Sequence, residues 1–547
     1  MKKLYVLSCA TLLFSQTVVF AQQWVKRVNG TGNGMDAITA MVVDKSGNVY
    51  VTGYSFSGAN DNDYVTIKYN SSGVQQWLAR YNGPGNGSDV PTSVFVDNSG
   101  YVYVTGSSDA LTGAYIDNDA ATVKYSPLGV QLWVARYAGS LARADAGNAI
   151  KVDASGNVYI AGYTTVRVIG QKKVYLTIKY NSAGVQQWLK TLQGVGTTNG
   201  QDDSAIGLAL DGSGNVYVTG SVFAGTGYAG RSDYLTVKYN SSGVQQWTQQ
   251  YNGPGNSFDY TTAIAADNAG NVVITGYSRG IDFDFATIKY NTNGVQQWIA
   301  RYNGPANSSD IAYALALDNA GNVYVTGSDQ KVIYNTDYLT VKYNSAGVQQ
   351  WAARYAGPAN DNDEAYALAV DKTGNVYVTG YINGVSPSWD MATIKYNASG
   401  AQQWVSRYNG PKDSADVGTA IGVDTLGNVY VGGNSTGKTT AWDYTTLKYG
   451  SSGMLTSATI PEDYAITGVV KNVVKIFPNP VHNFLAIQLP AQNIFDITIT
   501  DIAGRQIFKE RNIQSQSQIN CTAFPKGVYF LKAASDSKTF TEKFTKQ

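Results

Sequence analysis

Residues 47–55, GNVYVTGYS, and 63–70, DYVTIKYN, followed by QQW at 75–77, decide the fold, because these three phrases recur along the chain. The first begins, with small variations, at Gly47, Gly100, Gly156, Gly214, Gly270, Gly321, Gly374 and Gly427. The second places a lysine at Lys68, Lys124, Lys179, Lys238, Lys289, Lys342, Lys395 and Lys448. The third places tryptophan at Trp24, Trp77, Trp133, Trp188, Trp247, Trp298, Trp351 and Trp404. Eight copies spaced 51 to 59 residues apart, most often 53, point to a propeller or a solenoid.

Each copy divides into four short runs of β-branched and aromatic residues, in the second copy SVFVD, YVYVTG, AATVKY and VQLWVARY. No helical period persists for more than a turn. Four strands in each of eight units predict an all-β chain folded as an eight-bladed β-propeller. Asp-x-x-Gly (Asp44 to Gly47) separates the first two strands and Asn-x-x-Gly (Asn70 to Gly73) the last two, as tight hairpins require. These short turns belong on one face of the disc. The other connections vary in length and gather on the opposite face, where binding loops accumulate.

Working outward, no QQW strand follows the turn after Lys448, but QQWVKRV stands at residues 22–28. That segment is expected to supply the outermost strand of the eighth blade and so remove an open sheet edge. The alternative is local pairing by Met454 to Ile460. Residues 1–21, with Lys2 and Lys3 before an apolar stretch, read as a signal peptide cut between Ala21 and Gln22. Ser8, Thr11, Ser15, Gln16 and Thr17 interrupt the stretch, so no membrane-spanning segment is expected in the mature chain. Cleavage removes Cys9 and leaves Cys521 without a disulfide partner.

Composition narrows the chemistry. The 547 residues include 58 Gly, 40 Tyr, 2 Cys and 1 His, with 40 basic against 39 acidic groups. Near-balanced charge argues against nucleic acid as partner. Two cysteines and one histidine exclude a disulfide framework and the common zinc sites. Residues 22–453 contain neither His nor Cys, which removes Ser-His-Asp and Cys-His catalysis.

Residues 22–450 resemble the bacterial SBBP-type β-propeller repeats, whose hallmark is GNVYVTGYS followed by DYATIKYN. The resemblance is specific for architecture and says little about activity. Copy three departs from it, with Val174 where other copies place Asp. From residue 474, after a linker at 454–473, the repeat stops. Residues 474–547 read as a small antiparallel β-sandwich with nine basic and five acidic groups. They resemble the type A C-terminal sorting domain of the type IX secretion system. Pro478-Asn479-Pro480, Leu485 with Ile487, Asp501 with Gly504, and Gly527-Val528-Tyr529 carry that resemblance. It implies the type IX machinery as partner, passage across the outer membrane, and release or tethering to the cell surface.

One acid repeats with the blades, Asp36, Asp89, Asp145, Asp203, Asp259, Asp310, Asp363 and Asp416, each eight residues before the first-turn Asp. Either each carboxylate caps the loop before it, or the eight ring the channel mouth and hold a cation such as calcium. No other cofactor is expected. The repeated lysines are architectural, pairing with an acid on the next blade or snorkelling to solvent. Asn60-Asp61-Asn62, Asp202 and Asp282 read as solvated turns. Trp389 and Trp442 alone stand outside the repeated QQW, in blades seven and eight, where they either stack on a sugar or peptide or pack between blades. The reading is an exported, non-catalytic binding or scaffolding module for a glycan or surface protein. The alternative is a carbohydrate-active enzyme, and a third option is a structural surface-layer role.

Overall fold

The computed structural model describes residues 22–451 and 475–547, apart from 59–60, 111–116, 142, 169, 195–201, 225–230, 333–334, 360, 385–387, 478–480, 482–483, 490–493, 515 and 536–538. The signal peptide with Ala21, the linker 454–473, and Pro478-Asn479-Pro480 therefore lie outside the described residues. Gln22 is described by its backbone alone.

Eight four-stranded antiparallel sheets account for residues 22–449. Blade one is typical: Asp36–Val43 innermost, then Val49–Phe56, Asn62–Tyr69, and Gln75–Tyr81 outermost. The middle two strands are covered on both sides by neighbouring blades, so they read as near-continuous buried runs rather than alternating ones; Ser232–Tyr239 is buried throughout. Blade eight takes Asp416–Val423, Val429–Thr436 and Trp442–Tyr449 from one end of the repeat and Gln22–Val28 from the other. Trp24 pairs with Lys448 and Val28 with Tyr444. The expected closure by the amino-terminal strand is thus the observed one, and Asp36–Val43 packs on Asp416–Val423 to complete the circle.

One joint repeats between blades. The outermost tryptophan leans over the Asn-x-x-Gly turn of the next blade and its indole N–H donates to a carbonyl there: Trp77 to Pro127, Trp247 to Thr292, and across the closure Trp24 to Ser71, at 3.0 to 3.3 Å. Gly73 serves twice in that joint. Its φ is +76°, and a Cβ would lie 2.8 Å from the Trp24 ring. The repeated lysine reaches the same carbonyl, Lys448 to Ser71 at 2.8 Å and Lys238 to Thr292 at 2.8 Å. It also lies over the second-strand tyrosine, Lys448 5.2 Å from the Tyr430 centroid. It therefore pairs with a backbone oxygen rather than an acid, and burial lowers the pKa of Lys448 and Lys238.

A second joint was not anticipated. The Arg of the outermost strand bridges the third-strand Asp, the second-strand Ser and the Tyr that ends the preceding blade. Arg136 bonds Asp119 at 3.0 Å, Ser108 at 2.6 Å and Tyr81 at 2.9 Å; Arg301 repeats the set with Asp284, Ser278 and Tyr251. Blade three lacks both ends of the pair, with Val174 in place of Asp and Thr191 in place of Arg. Its rim differs by joint loss of two partners, not by one orphaned charge.

Residues 475–547 form a separate sandwich of a three-stranded and a four-stranded sheet around one core that includes Leu485, Ile487, Ile499, Leu531 and Phe544. Cys521 is a buried free thiol in that core. Gly504 (φ 79°) closes a turn in which Asp501 accepts from the Ala503 and Arg505 N–H groups at 2.9 and 3.0 Å. Gly527 opens the strand Gly527–Ala534, and the buried Tyr529 donates its hydroxyl to the Pro525 carbonyl at 2.7 Å.

Candidate functional site

The eight repeated aspartates are buried, none more than 1% exposed, so they are not rim groups. Each accepts from the backbone of its own blade. Asp89 takes the Gly83 N–H at 2.6 Å and the Asp109 N–H at 3.0 Å. Asp203 takes those of Gly194 and Phe223, both at 2.8 Å, and pairs with Lys172 at 2.9 Å. Asp145 accepts from Gly139 and from Thr165. These bonds tie the incoming loop to the second strand, which is the capping role. A channel-mouth cation ring needs oxygens that converge and are free to coordinate. Among the described residues no three His, Cys, Asp or Glu side chains form such a group.

Burial pushes the carboxyls of Asp36, Asp363 and Asp416 up to about 6 against the pull of these N–H donors. Asp310 rises further, through burial and its neighbour Asp329, which replaces the second-strand serine of other blades. Arg354 pairs with Asp329 at 2.6 Å.

The symmetry breaks on the variable-loop face, at blades six and seven. Glu364 is the one glutamate between residues 22 and 453. It opens the innermost strand Glu364–Val370 and accepts the Tyr313 hydroxyl at 3.0 Å. Tyr366 and Tyr381 stand near enough for the Glu364 charge to act on their hydroxyls. Burial, then the Glu364 charge, holds all three phenols well above the ordinary range, so they remain donors. Tyr313 and Tyr366 cross edge-on with centroids 5.2 Å apart, and Tyr366 meets Tyr381 at 5.8 Å. Trp389 ends the row, 4.8 Å from Tyr381 and inclined 33° to it. At 41% exposure Trp389 presents a ring face to solvent while Tyr381 beneath it is buried.

Trp389 and Trp442 hold the same register in adjacent blades, opposite Asn383 and Thr436. Trp442 is half-buried. The sequence reading found Trp389 and missed its partners. Their signal was present: the fourth residue from each repeated Asp is Thr in blades one, two, five and eight but Tyr313 and Tyr366 in blades six and seven. Among the loop acids, Asp202 pairs with Lys173 at 3.4 Å, and Asp61 accepts from the Ser57 backbone N–H at 3.0 Å through its carbonyl.

The arrangement offers an aromatic ring beside a carboxylate that the Tyr313 hydroxyl orients. Such a set can stack on the apolar face of a sugar ring and accept from its hydroxyls. No helix among the described residues is long and apolar enough to cross a membrane.

Comparison with known proteins places the chain. Residues 475–547 match the secretion system C-terminal sorting domain, and residues 23–58, 76–111, 297–328, 350–385 and 403–438 match the SBBP β-propeller repeat. The sorting domain marks the protein for export, to secretion or to the cell surface. An uncharacterized WD repeat-containing protein of Acanthamoeba polyphaga mimivirus is 23% identical over 64% of this chain, which spans 28% of that relative's length. PorZ, a surface component of the type IX secretion system of Porphyromonas gingivalis, aligns with 93% of this chain and 81% of its own at 12% identity and a TM-score of 0.33. A PL25 ulvan lyase aligns with 73% of this chain and 96% of its own at 11% identity and a TM-score of 0.40. The periplasmic gluconolactonase of Pseudomonas aeruginosa aligns with 66% and 96% at 11% identity and 0.42.

Proposed function

For a chain that carries SBBP propeller repeats and a secretion-system sorting domain, we propose a glycan-recognition role, exercised outside the outer membrane through the aromatic row of blades six and seven. The observation that carries it is the single propeller glutamate, Glu364, bonded by Tyr313 and set beside the row of Tyr366 and Tyr381 that ends at the exposed Trp389. Glu364 has no counterpart in the other blades, and tyrosine stands at the position of Tyr313 and Tyr366 only in blades six and seven. The sorting domain delivers the propeller and the row contacts the ligand.

Glycan-array binding by the full exported chain tests this. Trp389→Ala is expected to weaken the strongest binders by about tenfold, the scale of one lost aromatic platform, with an unchanged melting temperature. Undiminished binding by that variant rejects the site. A second reading, polysaccharide cleavage, draws on Asp361, another unrepeated acid whose charge acts on Tyr381 together with Glu364. New chain ends released from a bound polysaccharide, and lost with Glu364→Gln, would favour cleavage over recognition.

A further inference from the structure

On the opposite face, where the short turns lie, one blade omits a residue that the other seven share. The second position of the second strand is Tyr50, Tyr103, Tyr159, Tyr217, Tyr324, Tyr377 or Tyr430, but Val273 in blade five. Elsewhere this ring makes three contacts, as blade six shows. The Tyr324 hydroxyl donates to Asp318 at 3.0 Å, Lys342 stands 5.1 Å from the ring centroid, and Trp351 meets the ring at 6.3 Å and 57°. The hydroxyl also reaches the turn of the following blade, as Tyr217 does in donating to the Gly270 carbonyl at 3.0 Å.

Blade five keeps every partner of the missing ring. Asp267 stands where Asp318 does and accepts from Asn271 at 2.8 and 2.7 Å, as its counterparts accept from theirs. Lys289 stands where Lys342 does and keeps the usual bond to the next turn, the Ser345 carbonyl at 3.2 Å. Trp298 stands where Trp351 does and retains its contact with Tyr343 of the next blade. Val273 itself is buried. Between blades five and six opens a cavity of about 490 Å³ whose lining includes Asp267, Lys289, Leu317, Asp318, Gly321 and Ser345. Asp267, Lys289 and Gly321 correspond to Asp318, Lys342 and Gly374, the groups that bracket Tyr324. The volume falls in the range of ordinary ligand pockets.

We propose that this cavity is a binding site for a para-substituted phenol, which takes the place the blade-five tyrosine would have filled. The ligand hydroxyl donates to the Asp267 carboxylate, a charge-assisted bond. Its ring lies beneath the Lys289 ammonium. An apolar ring of the same shape would lack the donor and forgo that bond. The same chemistry is offered by a free phenolic compound and by a tyrosine side chain. The cavity is separate from the aromatic row, which lies on the other face.

The probe is p-cresol, titrated into the full exported chain and followed by ligand-observed NMR, with toluene and N-acetyltyrosinamide as companions. Saturable p-cresol binding is expected, with toluene at least about tenfold weaker for want of the hydrogen bond to a charged acceptor. Val273→Tyr installs the residue that the repeat itself uses and should abolish binding while the chain stays folded. Tyr324→Val should create a second site between blades six and seven, seen as p-cresol density at two junctions in soaked crystals instead of one. If N-acetyltyrosinamide binds as p-cresol does, the natural ligand is a polypeptide tyrosine; if it does not, a free phenol. No saturation by p-cresol, equal binding of toluene, or binding that survives Val273→Tyr overturns the proposal.

Discussion

Blade eight and blade three meet the same packing problem with opposite chemistry. Blade eight is assembled from two distant segments, and its Arg27–Asp443 pair, at 2.8 Å, has side chains only 4% and 2% exposed. Arg27 also donates to the Ser435 hydroxyl at 2.6 Å, the Ser435 carbonyl at 3.2 Å and Tyr408 of blade seven at 3.2 Å. Blade three is continuous in sequence and has neither charge, because Val174 and Thr191 replace both partners. In the continuous blades that keep the pair, the arginine is more open, 20 to 27% exposed in Arg80, Arg136 and Arg301. The ion pair is therefore not what makes a blade. Where a hairpin turn joins the outer strands, as Asn181 to Gly184 does in blade three, that turn sets the register. No turn joins Tyr449 to Gln22, and there a fully enclosed pair of fixed geometry selects one register among several.

The most severe way to break this comparison is to remove the strand. Deleting residues 22–29 exposes the edge of Trp442–Tyr449, takes away the Trp24 joint and leaves Asp443 without Arg27. The melting temperature is expected to fall by at least about 10 °C, from lost packing and a stranded buried charge together. An unchanged transition in differential scanning calorimetry would mean that the ring does not depend on its closure.

A finer cut separates the charge from the strand. Asp443→Val alone leaves Arg27 buried beside an apolar side chain and should cost about 3–5 kcal/mol. Adding Arg27→Thr recreates the blade-three pairing and should recover at least about 2 kcal/mol of that loss. Urea denaturation of the two single variants and the double variant measures the coupling. Additive losses would show that the two residues act independently.

This second joint shows what sequence reading could and could not reach. The repeat period, the four strands of each blade, the paired turn sets and the transferred strand at residues 22–28 were all legible, because each is a local pattern repeated eight times. Val174 was visible as a departure, but its meaning was not. The Arg–Asp partners lie 17 residues apart in blades one, two and five and 416 apart in blade eight, so spacing along the chain does not announce them. The aspartate cap was legible as one of two options, and burial decides between them. At the candidate site Trp389 stood out by breaking the repeat. Glu364, Tyr313 and Tyr366 broke it too, but in strands read as interchangeable.

Proton uptake sharpens the comparison from another side. Asp36, Asp363 and Asp416 are raised to about 6 by burial, from an ordinary value of 3.8. The folded chain then takes up protons near pH 6, and the unfolded chain only nearer 3.8, so lowering the pH from 7.5 to about 5 should stabilise the fold. Below about 4 the sign reverses. Asp211, Asp318 and Asp371 are held under their ordinary range by turn hydrogen bonds that outweigh burial, so the unfolded chain protonates them first. A melting temperature that peaks between pH about 4 and 6 is expected. A steady fall from pH 7.5 to 5 would mean that the loop N–H groups keep the buried carboxyls ionised.

The smallest effect is expected from putting into blade three what it lacks. Val174→Asp with Thr191→Arg restores the pair beside Thr164, which holds the place of Ser108, and within reach of Tyr137, the counterpart of Tyr81. Val174 is 2% exposed, so the new carboxylate gives up its hydration, and the attraction of the guanidinium roughly offsets that cost. The register it would select is already fixed by the Asn181–Gly184 turn. The double variant should therefore lie within about 1 kcal/mol of the parent, while Val174→Asp alone should lose about 3 kcal/mol or more. A gain of several kcal/mol by the double variant would show that the pair strengthens any blade that holds it, and its burial in blade eight would then have nothing to do with how that blade is joined.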